Sequence, residues 1–413
     1  MATALIARIP GSKSLTNRAL LAAAAAPGRS VLRRPLVSDD SLAFADGLRQ
    51  LGYGVEMREE EWVVDGLGRG PRAALATLDC HDAGTAARFL PALAAAGEGC
   101  FRFDGSAQLR RRPLRPLLDA LEVLGAAVEQ LGEAGQDLPF ELTASGLRGG
   151  EIEVDGSQSS QYVSGLLLAA PLMREVLRLR APALTSRPYV DMTLGLMRRF
   201  GVESRIDADG RIEVRPDSYR PITLDVEPDA STASYFFAAA AMTGASVTVP
   251  ALGRSSAQGD LRFVEVLARM GAHIEQGDDA TTVTGPTHLT GGFAVDMNAI
   301  SDTFMTLAAI APFADRPIRI ERIGHTRLKE SDRIDAMAGN LTRCGVTVET
   351  GDDWIEIRPA TPHPALVACH GDHRIAMSFS VLGLRAAGIE LDDPTCVNKT
   401  FPEFHEEFRR LFG

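Results

Sequence analysis

A block of about seventy residues recurs six times in this chain, and no other feature of the sequence restricts its fold so tightly. Alanine-rich segments begin near Ser14 (SLTNRALLAAAAAPGRSVLRRP), Gly84 (GTAARFLPALAAAGEGCFRFDG) and Gln158 (QSSQYVSGLLLAAPLMREVLRLR). Three more begin near Ala230 (ASTASYFFAAAAMTGASVTVPA), Asp302 (DTFMTLAAIAPFADRPIRIER) and His373 (HRIAMSFSVLGLRAAGIELDD). The start-to-start steps are 70, 74, 72, 72 and 71 residues. Each segment is apolar nearly all round, the mark of a buried helix rather than a surface one. A Gly- or Pro-marked turn then leads into a β-like stretch.

A second pattern interleaves with the first: an amphipathic helix, a glycine, then a strand with Val or Ile before Glu. It reads LRQLGYGVE at Leu48, LEVLGAAVE at Leu121, LMRRFGVE at Leu196, LARMGAHIE at Leu267 and LTRCGVTVE at Leu341. Glycine suits a helix C-cap that must turn into a strand. The repeat is too long for a solenoid unit and fits a βαβαββ subdomain. The spacing predicts an α/β protein, a two-lobed inside-out α/β barrel of six such repeats with helices buried, three repeats per lobe. The expected lobes are residues 1–11 plus 229–413, and residues 12–228, with a functional cleft between them. The last repeat lacks its second half, and the strand-like stretch at residues 2–10 is expected to complete it.

Composition narrows the function classes. At 413 residues, with 45% apolar and 23% charged, the chain reads as a soluble protein with a large core. No apolar run approaches the roughly 18 residues of a membrane span, and Met1–Pro10 shows no signal-peptide pattern. Five scattered cysteines fit a reducing cytoplasm better than a disulfide framework. A net charge of −11 argues against nucleic-acid partners. Basic residues nevertheless cluster at Arg110–Arg112, Arg327–Arg333 and His373–Arg374, either as a focused anion site or as solvated surface charge.

The helix openings favour the anion site. They carry Ser12, Lys13, Ser14 and Arg18; Asp82, Gly84, Thr85 and Arg88; Ser159, Ser160 and Gln161; Asp229 and Ser231; Ser301 and Asp302; and Asp372, His373 and Arg374. Helix N-termini offer free N–H groups to phosphate and carboxylate. Capping alone explains Ser, Thr and Asp there, but it does not call for Lys or Arg. Gly11-Ser12-Lys13-Ser14 lacks the glycines of a P-loop, so nucleotide phosphotransfer is disfavoured. The Cys369–His373 stretch has no zinc-ligand spacing, and no metal is expected.

Ordered motifs then narrow the reading: PGSKSLTNRALL at Pro10, AGTAARFL at Ala83, RRPL at Arg111, DGSQSSQY at Asp155 and SRPYVDMT at Ser186. DASTASYF at Asp229, RLKESDRI at Arg327, GDHRIAMSFS at Gly371 and KTFPEF at Lys399 follow. Together the set resembles the enolpyruvyl transferase family, in its shikimate-pathway branch. The resemblance implies transfer of the enolpyruvyl group of phosphoenolpyruvate to the 5-hydroxyl of shikimate 3-phosphate, without a cofactor. It implies a shikimate 3-phosphate site of Ser14, Arg18, Ser159, Ser160, Gln161, Ser186, Tyr189, Asp302, His325 and Lys329. It implies a phosphoenolpyruvate site of Lys13, Gly84, Arg112, Gln161, Arg333, Arg374 and Lys399. Glu330 and Lys13 are the expected proton-transfer groups, with Asp302 orienting or deprotonating the 5-hydroxyl; an ion pair with Arg333 or Arg327 is the structural alternative for Glu330. A UDP-N-acetylglucosamine enolpyruvyl transferase is the near rival, disfavoured because Gly105–Arg112 holds no Cys; a non-catalytic scaffold would have lost its Lys and Arg set. Asp82, Phe89 and His325 depart from residues common in the family. The expected partners are small molecules only, with a monomeric chain, and the family's inhibitor glyphosate is expected to compete at Gly84.

Overall fold

The computed structural model describes residues 4–413, so Ala2 and Thr3 of the expected N-terminal strand lie outside the described residues. The fold is mixed α/β, and the chain divides into two compact units. One runs from Gly11 to Val226; the other joins the segment ending at Pro10 to Glu227–Gly413.

One stretch of the first unit displays the repeat in full. Strand Leu75–Asp79 leads into helix Gly84–Ala95, and strand Glu98–Asp104 returns parallel to it, with Leu75 opposite Cys100. Helix Arg115–Val123 follows, then strands Ala127–Gln130 and Phe140–Ser145, the latter antiparallel to Glu98–Asp104. This is βαβαββ, and its sheet order recurs in strands Gly150–Glu153, Leu177–Arg180, Ile212–Val214 and Ser204–Ile206. In the other unit it recurs in Phe293–Asp296, Ile318–Glu321, Ile355–Ile357 and Val348–Thr350.

The N-terminal strand corrects the sequence reading. Leu5–Ile6 pairs in parallel with Ser246–Pro250, Leu5 opposite Val247, and so opens the fourth repeat rather than completing the last. The reason is edge availability. In the last sheet Ala365–Val367 already holds the leading parallel position beside Ile389–Leu391. The fourth repeat, by contrast, enters its helix at Ala230 directly after the chain crosses from the other unit, and has no leading strand of its own. Thr223–Asp225 plays the matching part for the first repeat, pairing with Pro27–Arg33. Each unit is thus closed by a strand lying next to a crossing. The last sheet stays two-stranded, and the chain continues into helix Phe404–Phe412, whose Phe404 and Phe408 rings pack on Phe236.

The alanine-rich helices form the core of each unit. Lys13–Ala25, Gly84–Ala95 and Ser160–Ala169 pack on one another, as do Ala230–Thr243, Phe304–Ile310 and His373–Gly383. Small residues are what such close approach needs. A Cβ at Gly165 would stand 2.4 Å from the Arg88 carbonyl oxygen, and one at Gly66 would stand 2.1 Å from the Ala23 carbonyl oxygen. The consequence for function is positional: buried parallel packing fixes the helix starts to within the tolerance of a packed interior. Among the described residues no helix is long and apolar enough to cross a membrane.

Candidate active site

In the unit Gly11–Val226 the first helix starts at Lys13, with the Ser12 hydroxyl accepting from the Leu15 N–H as N-cap. Lys13 Nζ lies 3.1 Å from Asp40 Oδ2, a carboxylate 3% exposed that gave no signal in the sequence because the pairing is long-range. Ser14 is half-buried, and its carbonyl accepts from Arg18 Nη1 at 2.9 Å. Arg18 also donates through Nε to Thr193 Oγ1 at 2.8 Å, and through Nη2 to Ser164 Oγ and the Tyr189 carbonyl, both at 3.3 Å. Four of its five N–H groups are therefore engaged by the protein. Burial pulls its pKa down to about 10. These bonds fix the orientation of the Arg18 guanidinium within the unit.

Gly84 is the first residue of its helix, where free N–H groups gather. A Cβ there would meet Arg112 Nη2 at 2.7 Å and Nη1 at 2.9 Å, so the guanidinium lies flat against the helix start. Arg112 is 7% exposed. Behind Gly84, Thr85 Oγ1 accepts from Asn17 Nδ2 at 2.6 Å, a buried link between the Lys13 and Gly84 helices. The Asp82 carboxylate accepts from the Ser106 hydroxyl, while Arg110 is spent on Asp104 through two bonds of 2.9 and 2.7 Å. Phe89 faces the Arg18 guanidinium at 5.1 Å and Phe44 edge-on, away from the helix start. Ser159 caps the third helix by accepting from the Gln161 N–H; Ser160 is buried, and Gln161 Oε1 is buried without a hydrogen-bond partner. Ser186 holds φ +50°, a left-handed conformation uncommon outside glycine, at the start of helix Arg187–Arg199.

The other unit gathers the remaining residues. Asp302 sits in a 3-10 turn, Asn298–Thr303, two residues ahead of the helix expected to start there, which begins at Phe304. It holds three cations: Lys329 Nζ at 2.5 Å, Arg333 Nη1 at 3.1 Å and Arg374 Nη2 at 3.0 Å. Burial pushes its pKa up, and the charges of Arg374, Lys329 and Arg333 more than reverse this, leaving it well below the usual carboxylate range. Glu330 pairs with Arg333 at 2.8 Å, so the ion pair foreseen as its alternative role does form. Arg333 also donates to Asp372 at 2.8 and 3.2 Å. Asp372 in turn caps the last helix by accepting from the Arg374 N–H at 3.0 Å. His325 Nε2 lies 2.9 Å from the Ser301 hydroxyl; burial, then Lys329, drives its pKa to about 3, so the ring is neutral. Lys399 ends the 3-10 helix Pro394–Lys399 and is 6% exposed.

Of the predicted residues, one unit thus collects Lys13, Ser14, Arg18, Gly84, Arg112, Ser159, Ser160, Gln161, Ser186 and Tyr189, and the other collects Asp302, His325, Lys329, Glu330, Arg333, Arg374 and Lys399. Sequence reasoning missed Asp40 and Asn17, and saw Asp372 only as a cap. Among the described residues no group of three or more His, Cys, Asp or Glu is arranged to hold a metal.

Comparison with known proteins agrees in every mode. The family model for EPSP synthase (3-phosphoshikimate 1-carboxyvinyltransferase) matches residues 3–408. A 3-phosphoshikimate 1-carboxyvinyltransferase of Nostoc punctiforme is 44% identical over 407 residues, covering 98% of this chain and 95% of the relative. One from Shewanella denitrificans is 41% identical over 410 residues, again covering 98% and 95%. The solved EPSP synthase of Acinetobacter baumannii superposes with a TM-score of 0.81 at 27% identity, over 98% of this chain and 95% of that one. The enolpyruvyl transferase NikO of Streptomyces tendae, at 19% identity and a TM-score of 0.78, shares the fold. With its motifs in order and the match running nearly end to end, the chain belongs to the EPSP synthase (3-phosphoshikimate 1-carboxyvinyltransferase) family.

Proposed function

We propose that this chain transfers the enolpyruvyl group of phosphoenolpyruvate to the 5-hydroxyl of shikimate 3-phosphate, releasing phosphate, as a step of the shikimate pathway of aromatic amino-acid biosynthesis. The observation that carries the reading is the near full-length family match. The cationic set around Asp302 fits it, because two substrates with phosphate and carboxylate groups must be held together. Planar guanidinium forks suit that task.

The reaction is addition followed by elimination. The 5-hydroxyl oxygen bonds to C2 of the enolpyruvyl group, its proton departs, and a proton arrives at C3, giving a tetrahedral ketal. The C2–O bond to phosphate then breaks, a C3 proton leaves, and the double bond re-forms. Asp302 stays ionised among its cations. A base of such low pKa removes a hydroxyl proton poorly, so Asp302 is assigned to orienting the 5-hydroxyl. Lys13 and Glu330 are assigned to proton transfer at C3 and the oxygen. Arg112, Arg333, Arg374 and Lys399 are assigned to the phosphoenolpyruvate anion and the departing phosphate. Ser14, Arg18, Ser159, Ser160, Gln161, Ser186, Tyr189, His325 and Lys329 are assigned to shikimate 3-phosphate, with Gly84 and Gln161 also beside phosphoenolpyruvate. Each unit is read as an inside-out α/β barrel of three repeats supplying half of the set, within a monomeric cytoplasmic enzyme.

The test is phosphate release from purified protein. Release must require both shikimate 3-phosphate and phosphoenolpyruvate; release with UDP-N-acetylglucosamine as acceptor would move the chain to the rival reaction.

A further inference from the structure

Tyr235 lies in the alanine-rich helix Ala230–Thr243, and no role was assigned to it above. Its side chain is fully buried and its ring packs edge-on against Phe404, 6.0 Å between centroids. Phe236, Phe401 and Phe408 continue that aromatic cluster, in which a plain phenyl ring would be at home. The Tyr235 hydroxyl, however, closes no hydrogen bond of normal geometry. A buried hydroxyl left in that state costs about 1–3 kcal/mol against a phenyl group of the same shape. The groups it faces are Arg374, within reach of a side-chain hydrogen bond, and then Arg333 and Asp372. Arg374 meanwhile donates through Nη2 to Asp302 at 3.0 Å.

Donor and acceptor chemistry fixes what this hydroxyl can do. A guanidinium only donates, so toward Arg374 the phenol oxygen must accept. The helices that carry them, Ala230–Thr243 and His373–Gly383, pack on each other, and Arg374 donates to Asp302 through Nη2 as well. We infer that Tyr235 is a positioning residue: its hydroxyl accepts from the Arg374 guanidinium and sets the direction in which that fork presents its N–H groups to the phosphoenolpyruvate anion. The inference rests on the reading of Arg374 as a phosphoenolpyruvate cation.

Steady-state kinetics of Tyr235→Phe, Arg374→Lys and the double variant test both statements separately. Tyr235→Phe keeps the ring and its packing and removes only the oxygen. The expected result is a KM for phosphoenolpyruvate raised about 5- to 20-fold, part of the worth of one hydrogen bond to a charged group because the arginine itself remains. The KM for shikimate 3-phosphate stays within twofold, and Tm moves little because the ring and its packing are kept. In the Arg374→Lys background, which has no fork to align, the same change has a smaller effect. Wild-type KM values in Tyr235→Phe, with Arg374→Lys impaired toward phosphoenolpyruvate, overturn the role of Tyr235 alone. If Arg374→Lys also leaves that KM unchanged, the assignment of Arg374 falls with it. A lowered Tm with both KM values raised equally would make the hydroxyl structural and likewise overturn the inference.

Discussion

Gly84→Ala tests the proposed phosphoenolpyruvate half-site at the close approach of Gly84 and Arg112. The added methyl would lie 2.7 Å from Arg112 Nη2, 2.9 Å from Nη1 and 3.0 Å from Cζ. Ordinary contact needs about 3.5 Å, so the guanidinium must retreat by roughly 0.8 Å. Arg112 yields because it is the far end of a flexible side chain, whereas the Gly84 backbone is held by a fully buried helix. A retreat of that size costs a charge-assisted hydrogen bond about half of its 1.5–3 kcal/mol, or roughly a tenfold loss of affinity. Alanine is also a better helix former than glycine by about 1 kcal/mol, so the fold should not weaken.

The expected outcome is a KM for phosphoenolpyruvate raised about 5- to 20-fold with an unchanged or higher Tm. Glyphosate, the longer inhibitor of this family, should lose more, because the methyl adds a steric clash to the displaced arginine. Its inhibition constant against phosphoenolpyruvate should rise by at least a further tenfold or so. The assay is phosphate release at varied phosphoenolpyruvate with and without inhibitor. Equal KM and inhibition constants in both proteins would show that neither ligand depends on the Arg112–Gly84 contact, and the argument would fail.

Glu330→Gln keeps a hydrogen-bonding partner for Arg333, 2.8 Å away in the wild type, and should lower kcat by roughly 100-fold while the KM for shikimate 3-phosphate holds; lost affinity with normal kcat would return Glu330 to an ion-pair role. His325, driven by burial to about 3 from an ordinary 6.5, is neutral when folded and gains a proton when unfolded, so its share of stability is complete above pH 6.5 and is lost as pH falls toward 3, at up to about 1.4 kcal/mol per pH unit. Denaturation of His325→Asn should therefore show a flatter loss between pH 6 and 4 (roughly, from that slope) than wild type, and parallel curves would contradict the sign. Arg333→Ala should destabilise the protein by about 3–5 kcal/mol besides weakening phosphoenolpyruvate binding, since it strips a buried partner from three carboxylates; a wild-type denaturation midpoint would show that those carboxylates do not depend on it.

The repeat and its βαβαββ order were legible because periodicity and glycine caps are local signals, read within a few residues of each other. The place of the N-terminal strand was not, because parallel pairing of Leu5 with Val247 joins residues far apart in the chain. It depends on which sheet still has an open edge, a property of the assembled fold. The same division holds in the site. Lys13 and Arg374 declare themselves by charge at helix starts, where capping cannot explain them, and Arg112 and Arg333 by their place in basic clusters. Asp40 and Asn17 do not, since an Asp in the first turn of helix Asp39–Gln50 or an Asn inside an alanine-rich helix carries no mark of the lysine or threonine it will meet. Asp302 was expected as a helix opener and instead sits in a 3-10 turn with a kink at Ile300. That offset brings its carboxylate to three cations at once.

This placement explains how a dry site can hold so much positive charge before any substrate arrives. A buried guanidinium or ammonium without a partner costs several kcal/mol, and the unit Glu227–Gly413 holds the half-buried Lys329 beside the buried Arg333 and Arg374. It does so around carboxylates of its own: Asp302 takes all three, and Glu330 and Asp372 take Arg333 again. Arg333 thereby has four of its N–H directions fixed, and its pKa is raised because three carboxylates outweigh the burial that would lower it. It is the keystone of the cluster, and on the proposed assignment it meets an anion with its fork already fixed. Arg374 is tied to Asp302 through Nη2, from a helix start where its own N–H is already fixed by Asp372. On the proposed assignment, a substrate anion arriving there exchanges one carboxylate partner for another. Recognition then turns on geometry and on the forks held ready, with net charge playing the smaller part.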